Sequence, residues 1–478
     1  MTVGRELSES PLRLGDAAWA RLQERVRRAI ERARRGRRRV LASVSAPVPA
    51  ELDLSAAVLA ARRPDDRYFC LEEPERDGFV LAALGQAALV TTEGDQRFAR
   101  VAAACRELSR DALADEPGPP ASGPAWVGGF AFAPGGGTSP EWSSLSPALM
   151  TLPELSLARR GAEAWLTVTA VLEGDEAAEA VLERLHERVE SLEPAAMPLL
   201  DPDPLTAPRV AGAAPPEHFE AAVARGVERI RAGELDKVVL AREVRVHAPS
   251  PVDPAPVYDA LRAAFPACYC YLVGTPELAF VGASPELLVR RDGARAQTVA
   301  LAGTTRRSAD PSVDDLLGEQ LLQSAKQRME QAIVTRRIER TLRPVSVWVA
   351  AAEEPVLVKV QNVQHLATPI RAQLADPVPC VELAGRLHPT PAVGGEPPEV
   401  AQPLIPALEG LDRGWYAGTV GWTDLSEDGE FCVSIRCALL RGSVAHLYAG
   451  NGIVRDSVPA EELAETEVKL QALLPLLA

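Results

Sequence analysis

No apolar run in the sequence approaches the ~18 residues that would carry a helix across a bilayer, so no membrane span is expected. The opening residues carry charge with no apolar segment behind it, so the N-terminus does not read as a secretory signal. Paired cysteines are missing too. The seven thiols (Cys70, Cys105, Cys268, Cys270, Cys380, Cys432 and Cys437) are scattered without a C-x-x-C spacing, and the six histidines do not cluster near them. That pattern excludes a disulfide framework and a zinc centre, and predicts reduced core thiols in a soluble, cytoplasmic protein. Positive charge is in deficit: 51 Lys and Arg against 66 Asp and Glu leave a net charge of −15. A field of that sign repels nucleic acid and anionic lipid, so neither is an expected partner. An anionic substrate must then be met by a few positioned cations. The glycines of PGGGTS (134–139) have no lysine behind them, which makes the segment a loop and not a phosphate-binding motif. No repeat of solenoid period occurs.

What is present is ample core material: 478 residues, 47% hydrophobic and 24% charged. Residues 17–39 have helical periodicity through Trp19, Leu22, Val26 and Ile30 and carry ten arginines. They read as a solvated amphipathic helix leading into a strand at 40–48. From 68 to 170, short apolar stretches alternate with turn signals, with a helix at 96–115. Residues 193–216 are rich in Pro and Ala and aperiodic, a linker between an N-terminal half (1–205) and a C-terminal catalytic half (206–478). The second half predicts a helix over 217–232 and strands at 238–246, 270–274, 278–282, 287–291, 345–350 and 355–360. A single long helix over 313–342 follows that order, with strands at 416–422, 431–440 and 444–449 and a last helix over 459–476. Strands outnumber crossover helices and many adjoin as hairpins. The expected class is α+β, with large antiparallel sheets flanked by helices.

Several residues look chemical. Lys237 stands between a polar turn and an apolar strand, where desolvation favours use as a general base, although a strand-edge lysine with its head in water fits the same pattern. Lys326 and Glu330 are spaced i, i+4 on the long helix. Glu461, Glu465 and Lys469 share a stripe on the last helix, with Glu462 one i+3 step from Glu465. These are either exposed intrahelical ion pairs or carboxylates from two helices converging on a hard cation. The pair Gly450 and Gly452 closes the strand that begins at 444, where glycine lets backbone N–H groups face an anion. Arg436, in the middle of the apolar run FCVSIRCALL, requires an anionic partner.

Order and spacing add what single residues do not. DKVVLAR (236–242), FVGASPELLVRR (280–291), ALAGTTRR (300–307), KQRME (326–330), VQNVQHLATPI (360–370), LHPTPAVGG (387–395), RGWYAGTVGW (413–422), SIRCALL (434–440) and YAGNGIV followed by EELAETEVKL (448–470) together resemble the chorismate-utilising enzymes, with strong coverage over about 230–475. The resemblance implies that family's fold and a chorismate substrate. It implies Lys237 as the base that deprotonates water for attack at C2, and Glu286 as the acid that protonates the departing C4 hydroxyl, giving isochorismate for menaquinone or siderophore biosynthesis. It also implies Mg²⁺ held by Glu330 and Glu465, with Glu462 beside them. Tyr416, Arg436, Gly450, Gly452 and Lys469 would hold the substrate carboxylates, and Gly303, Thr304, His365 and Ala392 would line the pocket.

Absences discriminate within the family. Members that install ammonia, resembling anthranilate synthase, generally lack a lysine at 237. Aminodeoxychorismate synthases carry a nucleophilic lysine where Ala302 stands. The tryptophan-sensing L-L-E-S pattern becomes Cys70-Leu71-Glu72-Glu73, without its serine, and no glutaminase segment or subunit is expected. Salicylate synthases share the Lys/Glu pair and add loss of pyruvate, so the motifs leave that alternative open. A non-catalytic chorismate-binding protein would be expected to lose one of these residues, and none is lost. Gln327 and Gln331 depart from the acidic residue and the histidine often found there. A monomer or homodimer is expected.

Overall fold

The computed structural model describes residues 10–201 and 207–478. The boundary expected at 205/206 lies outside them. Two large antiparallel sheets form the frame. One, of twelve strands, runs in the order 40–48, 163–172, 155–160, 79–84, 68–73, 269–274, 279–284, 437–441, 444–453, 237–247 and 395–396, with 209–212 also on 237–247. The other, of ten, runs 346–351, 363–374, 295–306, 287–292, 429–433, 419–424, 125–130, 148–152 and 88–92, with 356–359 also on 363–374. Both halves of the chain contribute to both sheets. They meet where Tyr68–Glu73 pairs with Tyr269–Gly274 and where Ala125–Phe130 pairs with Thr419–Asp424.

The strand period of two decides which side chain enters which core. In Phe79–Leu84, Phe79, Leu81 and Ala83 join a core shared with Trp126, Phe130 and Phe431 of the ten-stranded sheet. Val80, Ala82 and Leu84 face the opposite way, into a second core. That core is closed by helices Asp16–Gly36, Ala178–Glu190 and Pro254–Ala264. The arginines of the first helix stay at its surface. Arg25 reaches Asp115 at 2.7 Å, Arg28 reaches Glu24 at 3.3 Å and Arg38 reaches Asp111 at 2.8 Å, as expected for a solvated amphipathic helix. Among the described residues no helix is long and apolar enough to cross a membrane.

Four expectations need correction. The helix expected over 313–342 is two, Pro311–Gln323 and Ala325–Leu342, because Ser324 turns extended and its hydroxyl caps the second by accepting from the Gln327 amide. The strand expected over 431–440 is also two, Gly429–Val433 and Cys437–Arg441, and they belong to different sheets. Part of the expected linker, Arg209–Gly212, adds to the edge of Lys237–His247. The last helix ends at Leu470, with a separate turn at Leu474–Leu477.

Candidate active site

The chain passes from one sheet to the other at two places that touch. Residues 285–286 link Ala279–Ser284 to Leu287–Asp292, and residues 434–436 link Gly429–Val433 to Cys437–Arg441. The crossings hydrogen-bond each other, Ala283 N to Arg436 O and Val433 N to Glu286 O, both at 3.0 Å. Arg436 is therefore in a strand break and not within a strand, with φ at +51°. Ala417, also on the cleft, has φ at +58°. Two non-glycine residues in the left-handed region mark local strain, held in place by the surrounding sheets. The cleft above them encloses about 780 Å³, part of it open to solvent.

Lys237 begins its strand fully buried, with Nζ 2.8 Å from Glu330 Oε1 across the cleft. The distance is that of an ion pair, but Nζ makes no well-directed hydrogen bond. Glu330 thus pairs across elements and not with Lys326 on its own helix. Gly452 is what lets the pair approach: a Cβ there would overlap Glu330 Oε1 and stand 2.6 Å from Lys237 Cε. A Cβ on Gly450 would stand 2.9 Å from the Tyr416 hydroxyl.

Both glycines lie inside the strand Val444–Ile453, opposite Ala241 and Val239. Ala241 N donates instead to Glu409 Oε1 at 2.7 Å, and Val239 N to Gly394 O at 2.7 Å. These are therefore non-hydrogen-bonded pairs of the ladder, and the amides of Gly450 and Gly452 point away from it toward the helix Pro459–Leu470. From that helix Lys469 Nζ donates to Gly450 O at 2.9 Å and to Asn451 Oδ1 at 2.7 Å, and pairs with Glu465 at 2.7 Å. Glu462 accepts from Asn451 Nδ2 at 3.1 Å and from Lys326 at 3.2 Å. Burial, then the charge of Glu465, raises the Glu462 pKa. Glu330, Glu462 and Glu465 all face the cleft, yet among the described residues no three Asp, Glu, His or Cys side chains come together so as to hold a metal ion by themselves.

On the opposite wall, a bulge at Gly303 (φ +78°) between Ala302 and Thr304 brings the Thr304 hydroxyl to 3.1 Å from His365 Nδ1. Arg436 Nη2 lies 3.2 Å from His365 Nε2. A guanidinium can only donate, so Nε2 accepts and the ring proton sits on Nδ1. Burial, then Arg436 and Lys469, holds the His365 pKa well below its usual range, so the ring is neutral. Arg436 Nε, Gln327 Oε1 and the Tyr448 hydroxyl are buried on the cleft without partners. Such a set of unmet polar atoms fits a site awaiting a polar ligand.

Glu286 is enclosed, and burial pushes its pKa up to about 8 against the opposing pull of Lys237, Arg436 and a hydrogen bond from Thr390. Its carboxyl is protonated at neutral pH and can donate. Ala392, two residues beyond Thr390, completes the rim.

All fourteen residues expected from the sequence thus gather at one cleft, Lys237 through its pair with Glu330. Sequence reasoning missed Asn451, which ties Glu462 to Lys469, although it sits between the two glycines. It also missed Arg413, which is buried and donates to Glu409, to Val239 O at 2.9 Å and to Val393 O at 2.8 Å. Of the two departures, Gln327 faces the cleft, while Gln331 donates to Ala300 O at 2.8 Å and Thr368 Oγ1 at 2.9 Å, fastening its helix to the ten-stranded sheet. Glu73, where the expected serine is missing, pairs with Arg76, which also holds Glu430 at 2.7 Å.

A family model described as chorismate binding enzyme matches residues 28–478. The chain is 32% identical to isochorismate synthase MenF of Bacillus subtilis over 465 residues, covering 95% of this chain and 97% of that protein. It is 37% identical to the salicylate biosynthesis isochorismate synthase of Pseudomonas aeruginosa over 413 residues, 86% of this chain and 85% of the other. Among solved structures, the menaquinone-specific isochorismate synthase MenF of Escherichia coli superposes with a TM-score of 0.78 at 28% identity, over 95% of this chain and 100% of that one. Anthranilate synthase component I of Streptococcus pneumoniae, at 20% identity and a TM-score of 0.66 over 84% and 92% of the two chains, shares the fold. With nearly its whole length matched, the chain belongs to the chorismate binding enzymes.

Proposed function

We propose that this protein is an isochorismate synthase, acting on chorismate with Mg²⁺ and supplying isochorismate for menaquinone or siderophore biosynthesis. The observation that carries the reading is a buried lysine at the same cleft as a carboxyl that keeps its proton at neutral pH, with Arg436 Nε unpaired beside them. Acid and base must have their proton affinities pushed apart to act together. Arg436 and the amides of Gly450 and Gly452 supply the donors that a dicarboxylate needs. Lys237 takes a proton from water as its oxygen bonds to C2. Both ring double bonds shift, from C1=C2 to C1=C6 and from C5=C6 to C4=C5, the C4–oxygen bond breaks, and Glu286 delivers its proton to the departing hydroxyl, which leaves as water. One water enters and one leaves, so the net change is isomerisation.

Glu330, Glu462 and Glu465 would hold the Mg²⁺. The donor set fits a hard cation that takes a few carboxylate oxygens and completes its shell from substrate and water. The missing side chain at Gly452 leaves the room in which Glu330 reaches the cleft. When bound, the ion neutralises substrate carboxylate charge, which is the term a protein of net charge −15 lacks. The seven cysteines, all buried and unbridged, suit a cytoplasmic protein.

The test is purified protein with chorismate and Mg²⁺, products resolved by chromatography and pyruvate assayed in parallel. Isochorismate without pyruvate is expected, lost in EDTA and restored by Mg²⁺. Pyruvate released as fast as chorismate disappears would make it a salicylate synthase. Anthranilate from added ammonia, with no isochorismate, would overturn the reading, and full activity in chelator would overturn the metal assignment.

A further inference from the structure

A second, larger cavity of about 1630 Å³, part of it open to solvent, lies behind the loop that forms one wall of the cleft. Its lining is mainly apolar, with Phe98, Phe132, Pro389, Ile405 and Leu411, and it includes the glycine run 135–136 that no catalytic role absorbs. Arg97 stands in this lining 96% buried, at 4% exposure, with no carboxylate within ion-pair distance. Its Nη2 donates to Ala131 O at 3.1 Å and Phe132 O at 3.4 Å, while its guanidinium lies 4.8 Å from the Phe98 ring centroid. Nε is buried without a partner. Nη1 makes no hydrogen bond among the described residues, and the side chain lines the cavity. Of the two acidic residues in the lining neither forms an ion pair with it, although the charge of Asp95 acts on it from a distance. Asp412 is saturated by the amides of Gly137, Thr138, Ser139 and Gly414, and Asp95 sits exposed.

A buried guanidinium without a counter-ion is costly, and an apolar pocket with one such charge is complementary to a small anion carrying an apolar body. His388, neutral and with its one N–H on Nε2, closes the wall of the cavity without offering it a donor. Its Nε2 is held by Phe132 O at 3.0 Å, and Nδ1 is buried with no partner. We propose that this cavity is a second binding site, for a small monocarboxylate with an apolar ring, its carboxylate on Arg97. The site shares a wall with the catalytic cleft. His388 and Pro389 line the second cavity, Thr390 bonds Glu286, and Ala392 and Val393 line the cleft, with Arg413 reaching from the second cavity to Val393 O.

The test titrates benzoate and its uncharged analogue benzamide into the full-length protein by calorimetry. Wild type and Arg436→Gln, altered only in the cleft, should bind benzoate, and neither should bind benzamide comparably. Arg97→Met should lose about tenfold or more in affinity, the worth of a charge-assisted bond. Leu411→Trp, which fills the cavity and leaves the guanidinium in place, should lose binding as well and guards against misfolding of the first variant. Benzoate binding that survives in both cavity variants and vanishes in Arg436→Gln would assign the ligand to the catalytic cleft and overturn the proposal. So would equal affinity for benzamide, or no binding by wild type.

Discussion

Glu286 is a carboxyl whose surroundings set its chemistry more strongly than its own type. Enclosure holds its pKa near 8, above the ordinary 4.5, despite two cations pulling the other way. The acid form is lost as pH rises, so kcat/KM should fall about tenfold per pH unit above about 8. Stability follows the same sign. Below about 4.5 the group is protonated folded and unfolded. Between there and about 8 only the folded state keeps the proton, so the contribution present at low pH is lost as pH rises through about 8. Glu286→Gln, neutral at every pH, should therefore gain in Tm relative to wild type across that interval while its turnover drops about 10²–10⁴-fold. A difference in Tm that does not change with pH would contradict the enclosed, protonated acid. Lys237→Arg tests the other partner. Arginine keeps the cation near Glu330 but cannot surrender a proton, so chorismate binding should persist while turnover falls by roughly 10²–10⁴. Near-wild-type turnover would mean that a cation suffices at 237.

Elements hold these residues through buried polar ties as much as through apolar packing. Arg413 joins the helix Pro398–Glu409, the strand that starts at Lys237, and the loop before Gly394, through Glu409, Val239 O and Val393 O. Removing it as Arg413→Met strands a buried carboxylate and two carbonyls, which should cost about 3–5 kcal/mol by denaturant unfolding. Glu409→Gln added to it should recover part of the loss, because the uncompensated charge goes with it. A double variant no more stable than the single would remove the ion pair from the account. The same scale shows what the sequence discloses. The strand at 40–48 and the helix beginning at 216 announce themselves through alternation, periodicity and proline, and both are found within a residue. The break at Arg436 does not, since FCVSIRCALL is continuously apolar around it and no glycine flags the positive φ. Ser324 with Gln327 three residues on does carry a capping-box signature, but the charged helical pattern continues on both sides of it and reads as one helix. The residues that line the cleft were legible as an ordered set of motifs. The reason they converge, two crossings between sheets, lies in pairings far apart in sequence.

At the scale of the molecule, the apparent division of the chain into halves and the architecture disagree. The linker composition of 193–216 suggests separable units, but each sheet is completed only by strands from both sides of it. A fragment spanning 207–478 would expose one flank of Tyr269–Gly274 and one of Thr419–Asp424, both largely buried in the intact chain, with unpaired N–H and C=O groups. It would also open the core shared by Trp126, Phe130 and Phe431. The proposed catalytic residues all reside in that fragment, yet the strands on either side of Glu286 and of Arg436 are inner members of sheets that the first half extends. We expect the fragment alone to aggregate or to lack a cooperative transition, and the intact chain to unfold in a single calorimetric peak with coincident loss of far-UV and near-UV signals. Co-expression of 10–201 with 207–478 should restore both folding and turnover, because the missing flanks are supplied without a peptide bond. A soluble, active 207–478 fragment would show that the shared sheets are dispensable and that the catalytic half stands alone.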